Sequence, residues 1–240
     1  MKILAFDSAA TAASTALYED GVLLAENYQR AGLTHSRTLL PMAEAMLSLC
    51  GTGFDAVDAL AVSAGPGSFT GLRIGISLVK GLAAAKNLPC IGVSTLEAIA
   101  ACAPRMDARL CVAMDARAGQ VYNAVFDLCE DYPLRCTPDR AIRVEDLLKE
   151  LEKEEKKLII TGDGAYLLPE IWPRMPEHLR FGCAYGVARA ARHNYDAAEP
   201  GQRAEIFSAA RLAPQYHRLP QAERERAARL AARKEAAPSV

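Results

Sequence analysis

The chain has 240 residues, of which 51% are hydrophobic, so it can bury a substantial core in one large or two small domains. This composition excludes a disordered or fibrous protein. Its 28 Lys and Arg nearly balance its 29 Asp and Glu, giving a formal net charge of -1, and this excludes the strongly positive field typical of free-standing nucleic-acid binders. Any contact with nucleic acid is therefore expected to be shared with a partner.

Two features bear on the compartment. The apolar run at the N-terminus is only four residues long before Asp7, too short for the core of a signal peptide, and no later run approaches a membrane span. The seven cysteines include no C-x-x-C pair and are odd in number, which favours reduced thiols over disulfides or a zinc site. The sequence predicts a cytoplasmic protein with no membrane contact.

The first hundred residues follow the order βββαβαβα. Three strands come first, and the last two are joined by a hairpin turn at residues 19–21. Strand and helix patterns then alternate. The predicted strands are Ile3–Phe6, Ser14–Tyr18, Val22–Tyr28, Ala59–Ser63 and Cys90–Val93, and the predicted helices are Thr34–Cys50, Ser68–Lys86 and one opened by Ser94.

The second half repeats this order in a shorter form. Its third strand and one helix are hard to identify between residues 134 and 184. The recognisable elements are strands Leu110–Met114, Val121–Phe126 and Leu158–Thr161, and helices Val144–Glu155 and Ala184–Tyr195.

Such a repetition predicts an α/β fold of two duplicated actin-like (ASKHA, RNase H-like) domains, the second one reduced. We expect a first domain at residues 1–104 and a second at residues 105–219. Residues 220–240 are rich in Ala, Arg and Glu, and they are predicted to form a charged helical or disordered tail.

The densest motif is GPGSFTGLRIG at residues 65–75, between a predicted strand and helix. Ser68 or Thr70 can cap that helix, and its free N–H groups could hold an anion. The usual nucleotide fingerprints fail, however, because Leu72 stands where a P-loop needs Lys, and Thr70 occupies the third glycine position of G-x-G-x-x-G. By itself, the motif is best interpreted as a structural turn.

Several segments in succession carry a family resemblance. They are the opening strand at residues 3–8, HSRTLLP at 35–41, GPGSFTGLRIG at 65–75, LPCIGVSTLEA at 88–98, DARAGQVY at 115–122 and PQYHR at 214–218. In sequence and order they resemble the signature segments of the TsaB (YeaZ) family. Gln120 replaces the family's usual acid and His217 its usual Leu, and neither change bears on fold or function.

The resemblance implies a role in forming threonylcarbamoyladenosine on the tRNA adenosine next to the anticodon. TsaB proteins are non-catalytic scaffolds that pair with the catalytic subunit TsaD or with themselves, and they work alongside the ATPase TsaE. Contact with tRNA is expected only through that complex. In TsaD an H-x-x-x-H metal pair follows the strand that here ends near Ser94, and the matching positions are Thr95 and Ile99. These side chains cannot clamp a metal, so neither a metal nor another cofactor is expected.

The residues at the expected nucleotide-binding turn also depart from the actin-like pattern. An actin-like phosphate hairpin has a glycine after its aspartate, whereas Asp7 is followed by Ser8 and two alanines. Asp7, Ser8 and Asp115 could form a vestigial nucleotide or ion site, or serve as structural residues at strand ends. Two other functions stay open, an actin-like ATPase or small-molecule kinase and, with less support, a metallopeptidase-like protein.

The helices of the first half are unusually apolar. Their hydrophobic arcs are wider than packing on one sheet requires, which indicates a second buried contact. That contact is either inside the monomer or, as the resemblance implies, at an interface with TsaD or a second copy. The candidate interface residues are His35, Leu39, Met42, Met46, Ile74, Leu78 and Ala85.

Overall fold

The computed structural model describes residues 1–218. A first sheet has the strand order β3-β2-β1-β4-β5, with β2 antiparallel to both β1 and β3, and with β1, β4 and β5 parallel. Its strands are β1 (Lys2–Asp7), β2 (Ala13–Glu19), β3 (Val22–Gln29), β4 (Ala59–Gly65) and β5 (Cys90–Ser94).

Helices cover both faces of this sheet, because successive side chains of each strand point to opposite sides. Leu4 and Phe6 of β1 pack with the helices α1 and α2, whereas Ile3 and Ala5 pack on the side of α6. The helices of the chain are α1 (His35–Leu49), α2 (Phe69–Ala84), α3 (Thr95–Ala101), α4 (Val144–Leu151), α5 (Glu177–Arg180), α6 (Ala184–Ala197) and α7 (Arg203–Ile206).

The second sheet is smaller. β6 lies between β10, to which it is parallel, and β7, to which it is antiparallel, and both β8 and β9 pair with β7. One face packs against α4 and the other against α3. The strands are β6 (Arg109–Asp115), β7 (Gln120–Asp127), β8 (Leu134–Arg135), β9 (Arg140–Arg143) and β10 (Leu158–Thr161).

Two helices join the halves. Ala98 of α3 packs with the first sheet, while Leu96 and Ile99 on the same helix pack with the second. The chain leaves the second sheet through α5 and returns to the first as α6, whose Val187 and Ala191 are buried there. No helix within residues 1–218 is long and apolar enough to cross a membrane.

The predicted α/β fold with a reduced second half is confirmed, with two corrections to its elements. The helix predicted at Val144–Glu155 ends at Leu151. The third strand of the second half, missed in the sequence, is β9, only four residues long and beginning and ending with Arg. The division near residue 104 stays a prediction, and the predicted tail at 220–240 lies outside the described residues.

Candidate functional site

A groove of about 590 Å³ runs between α1 and α2 on the outer surface of the first half. The glycine-rich motif positions α2, which forms one wall of the groove. Ser68 caps this helix by accepting a hydrogen bond from the N–H of Gly71 at 3.2 Å. Gly71 also brings α2 against β1, since a Cβ there would clash with the backbone of Ser8. The motif therefore acts as a structural turn that positions α2.

Three candidate interface residues line the groove with accessible or half-buried side chains. They are His35 at the start of α1, and Ile74 and Leu78 one turn apart on α2. Nε2 of His35 donates to the carbonyl oxygen of Ala10 at 2.9 Å, since a carbonyl can only accept, which ties the start of α1 to the loop after β1.

The other four candidates are less accessible or lie outside the groove. Leu39 and Met46 are each only 1% exposed and belong to the core under α1, although Leu39 also lines the groove. The wide apolar arc of α1 is thus partly explained inside the monomer. Met42 is half-buried against the same core, and Ala85 is exposed just beyond the end of α2.

The groove is also lined by residues that were not among the candidates predicted from the sequence, including Leu40, which is 37% exposed, Phe69 and Arg73. The guanidinium of Arg73 lies 3.9 Å from the Phe69 ring centroid and donates through Nε to the Tyr216 hydroxyl at 3.0 Å. Tyr216 in turn stacks on Phe69 at 4.8 Å. The motif GPGSFTG draws attention to Phe69, but nothing near it in the sequence predicts its contact with Tyr216.

A second cavity, of about 400 Å³, lies between the two halves. Asp115 lines it, and its carboxylate accepts hydrogen bonds from the N–H of Arg117 at 2.7 Å and the hydroxyl of Tyr166 at 3.0 Å. Asp163 also lines it and accepts from the N–H of Asp115 at 3.0 Å, and burial raises the pKa of Asp163. Both carboxylates thus already have protein partners.

Asp7 and Ser8 do not join Asp115 in this cavity. Asp7 is buried, accepts from the N–H of Ala9 at 3.0 Å, and has its pKa raised by burial. Ser8 is fully buried and donates to the carbonyl oxygen of Gly71 at 2.9 Å. The three residues grouped in the sequence as a vestigial site therefore do not line one cavity together, and Ser8 has a structural role.

Thr95 and Ile99, at the metal-pair positions, are buried beside Asp7 around a cavity of about 10 Å³. That space holds one water molecule at most. Within residues 1–218, no three His, Cys, Asp or Glu side chains are grouped so that they could hold a metal ion.

Comparisons with known proteins identify the family. A family model described as "TsaD: tRNA N6-adenosine threonylcarbamoyltransferase" matches residues 28–224. The tRNA threonylcarbamoyladenosine biosynthesis protein TsaB of Escherichia coli (strain K12) is 36% identical over 174 residues, which are 71% of this chain and 75% of that protein. This chain belongs to the TsaB (YeaZ) family. TsaB of Bacillus subtilis (strain 168) is 30% identical over 226 residues, 93% of this chain and 96% of that protein.

A solved structure supports the same assignment. YeaZ from Pseudomonas aeruginosa, 28% identical in sequence, superposes with a TM-score of 0.76 over 90% of this chain and 99% of that one. The TsaB-family membership and the two-sheet topology together establish an actin-like α/β fold for this chain.

Proposed function

We propose that this TsaB-family chain is a non-catalytic subunit of the assembly that forms threonylcarbamoyladenosine on tRNA, and that it acts by pairing with TsaD. Its relatives in Escherichia coli and Bacillus subtilis carry the name of that biosynthesis. The matching family model carries the name of the transferase itself. The chain thus matches the family model of the transferase, while its TsaB relatives are named for the biosynthesis without a stated reaction.

The observation that carries the proposal is the groove between α1 and α2. Its walls are mainly the side chains of Leu40, Phe69, Ile74 and Leu78, which a partner helix can cover by ridge-into-groove packing. Since the chain matches the TsaD family model, the partner is expected to present a comparable helix pair. The two proteins would then associate about a pseudo-twofold axis, and a second copy of this chain could use the same face.

Two features support the absence of catalysis. The positions of the metal pair are filled by Thr95 and Ile99 around a cavity of about 10 Å³, too small for a metal and a substrate. The turn after β1 carries Ser8 and alanine in place of glycine, and the Ser8 hydroxyl donates a hydrogen bond to the Gly71 carbonyl of α2. The contribution to the reaction would be conformational, because docking of α1 and α2 favours the competent arrangement of the partner.

Reconstitution tests the proposal. TsaD, TsaE, substrate tRNA and a source of threonylcarbamoyl-adenylate are combined with and without this chain, and modified adenosine is measured by mass spectrometry. We expect modification only when the chain is present, and no ATP hydrolysis or threonylcarbamoyl transfer by the chain alone. Full modification without it would contradict the scaffold role, and turnover by the chain alone would restore the ATPase alternative.

The surface is tested with a matched pair of variants on one helix. Leu40→Glu places a charge in the groove, whereas Leu49→Glu places the same charge at the end of α1, where the side chain is 86% exposed and does not line the groove. An unpaired charge in an interface costs several kcal/mol, so L40E should weaken association with TsaD by about a thousandfold. L49E should bind like the parent. Equal affinities measured by sedimentation would show that the groove is not the interface.

A further inference from the structure

Two cysteine thiols touch where the chain passes between its halves. Sγ of Cys102 lies 3.4 Å from Sγ of Cys183, although the residues are 81 positions apart. Cys102 follows the last turn of α3, from which the chain enters the second sheet, and Cys183 precedes the first turn of α6, with which it returns. The thiol contact therefore joins the outgoing and the returning crossing.

The surrounding backbone holds the two crossings close together. A Cβ at Gly186 would clash with the carbonyl oxygen of Ala98 and would lie 2.7 Å from Sγ of Cys102. Helices α3 and α6 are therefore in backbone contact within one turn of the thiols. Both cysteines are free thiols on residues that are partly exposed.

We propose that Cys102 and Cys183 form a redox-modification site, at which a low-molecular-weight disulfide converts the touching thiols into a reversible cross-link between the two halves. The site lies on the α3–α6 side of the first sheet, opposite the groove of α1 and α2. It is therefore independent of the proposed pairing with TsaD.

The chemistry balances as thiol–disulfide exchange. One cysteine thiolate attacks a sulfur of the oxidant, which breaks the oxidant's S–S bond and releases one small thiol and leaves a mixed disulfide. The second thiolate then attacks the cysteine sulfur of that mixed disulfide and releases the second small thiol. The protein loses two electrons and two protons in total, and the oxidant gains them. Contact with Cys102 and burial raise the pKa of Cys183, so this thiol loses its proton less readily than an ordinary cysteine.

Bond formation requires little movement. The sulfurs must approach from 3.4 Å to about 2.05 Å, a change of about 1.4 Å that side-chain rotation and a small helix shift can supply. The closed loop contains the whole second sheet, so the unfolded chain loses the entropy of a long loop. Oxidation should raise the Tm on the order of 10 °C.

The test uses the full chain incubated with oxidised glutathione, followed by peptide mapping and thermal unfolding. We expect a peptide containing Cys102 linked to Cys183, lighter than its reduced parts by two hydrogen atoms, together with the rise in Tm, both reversed by dithiothreitol. The mapping needs no variant, so a misfolded mutant cannot obscure it. Recovery of glutathione adducts alone, or of other cysteine pairs, would overturn the proposal.

Variants sharpen the result. Cys183→Ser and, as an independent replacement, Cys102→Ala should each lose the oxidation-dependent rise in Tm, while Cys129→Ser, at another partly exposed cysteine, should keep it. Circular dichroism of the reduced proteins checks that each variant is folded. A Tm rise that persists in C183S and C102A would show that another reaction stabilises the chain.

Discussion

The two halves of the chain follow one plan but are stabilised differently. The first sheet has five strands with helices on both faces, and its central β1 residues are at most 3% exposed between Ile3 and Asp7. The second sheet has short outer strands, and one of its faces packs against α3, a helix that also contacts the first sheet. Helix α6, which comes after the second sheet and α5, packs on the first sheet instead. The reduced half therefore depends on the complete half for part of its core.

Charge plays a larger part in the reduced half. Asp127 at the end of β7 forms ion pairs with Arg109 at 2.7 Å and Lys156 at 2.9 Å. Beside α3, Glu97 accepts from the hydroxyl of Tyr132 at 2.7 Å and pairs with Arg135 at 3.2 Å. In the second half, these polar networks hold the chain at the ends of the strands.

The strongest test of this dependence is a cavity in the shared core. Phe126 is fully buried in the cluster that contains Leu96 and Ile99 of α3. Phe126→Ala should lower the free energy of unfolding by about 3–5 kcal/mol, and chemical denaturation should still show a single transition, because α3 couples the sheets. Phe6→Ala in the first sheet is the matched control, with the same expected shape. Two separate transitions in F126A would show that the halves unfold independently.

The helix crossing gives the next largest expected effect. Gly186→Ala adds a methyl group against the Ala98 carbonyl, so we expect a loss of about 1–3 kcal/mol in the free energy of unfolding. Gly81→Ala on α2 is the control, because a Cβ there meets nothing within 4 Å, and it should stabilise by about 0.5–1 kcal/mol. If both variants gained stability, α3 and α6 would not be in the close contact described.

Two aspartates, one in each half, should make the stability depend on pH in opposite directions. Burial raises the pKa of Asp7 above its ordinary 3.8, so its contribution to stability is complete below pH 3.8 and is lost as the pH rises through the folded pKa. Hydrogen bonds from Lys156 and Cys129 lower the pKa of Asp127, so its contribution is present above pH 3.8 and is lost as the pH falls. Relative to the parent chain, Asp7→Asn should become more stable as the pH rises.

For Asp127→Asn we expect the opposite change in relative stability with pH. It should be less stable than the parent at neutral pH, and the deficit should shrink as the pH falls below 3.8. Urea unfolding of the parent and both variants, from about pH 2 to pH 7, measures the two trends. Parallel trends for the two variants would contradict the assignment of a buried carboxyl in one half and an ion-paired carboxylate in the other.

The sequence was most informative where one pattern decides the structure. The strand Leu158–Thr161 was predicted with its observed ends. Of the two cap candidates Ser68 and Thr70, the structure selects Ser68, and Ser94 opens α3 as predicted, because each hydroxyl accepts from one of the first free N–H groups of its helix. The strand β9 was missed because four residues with Arg at both ends carry no alternation of apolar side chains.

The candidate site depended on tertiary contacts that a sequence pattern does not contain. The helical pattern treats the neighbouring residues Leu39 and Leu40 alike, but only the packing reveals that Leu39 is buried in the core and that Leu40 is exposed at the groove. The stacking of Tyr216 on Phe69 joins residues 147 positions apart, and no local sequence rule predicts it. Likewise, the sequence groups Asp7, Ser8 and Asp115 as a possible nucleotide or ion site, but only Asp115 of the three lines the cavity between the halves.

The smallest expected effect concerns the C-terminal segment that fastens the two halves across the cleft. The N–H of Gln215 donates to the Ala64 carbonyl at 2.7 Å, and Arg218 donates to the carbonyl oxygens of Ala116 and Arg117 in the second half. Between them the Tyr216 hydroxyl accepts from Arg73, at a site where Tyr216 is 39% exposed.

Tyr216→Phe removes this hydrogen bond with Arg73 but keeps the ring on Phe69. Because water can replace a partner at an exposed site, it should cost roughly 0.5–1 kcal/mol, or a fall in Tm of about 1–4 °C. Tyr216→Ala also removes the stacking and should lose more, by about 0.5–1.5 kcal/mol. Thermal unfolding of the two variants separates the terms, and equal Tm values for Y216F and Y216A would show that the ring contributes nothing to holding the segment on α2.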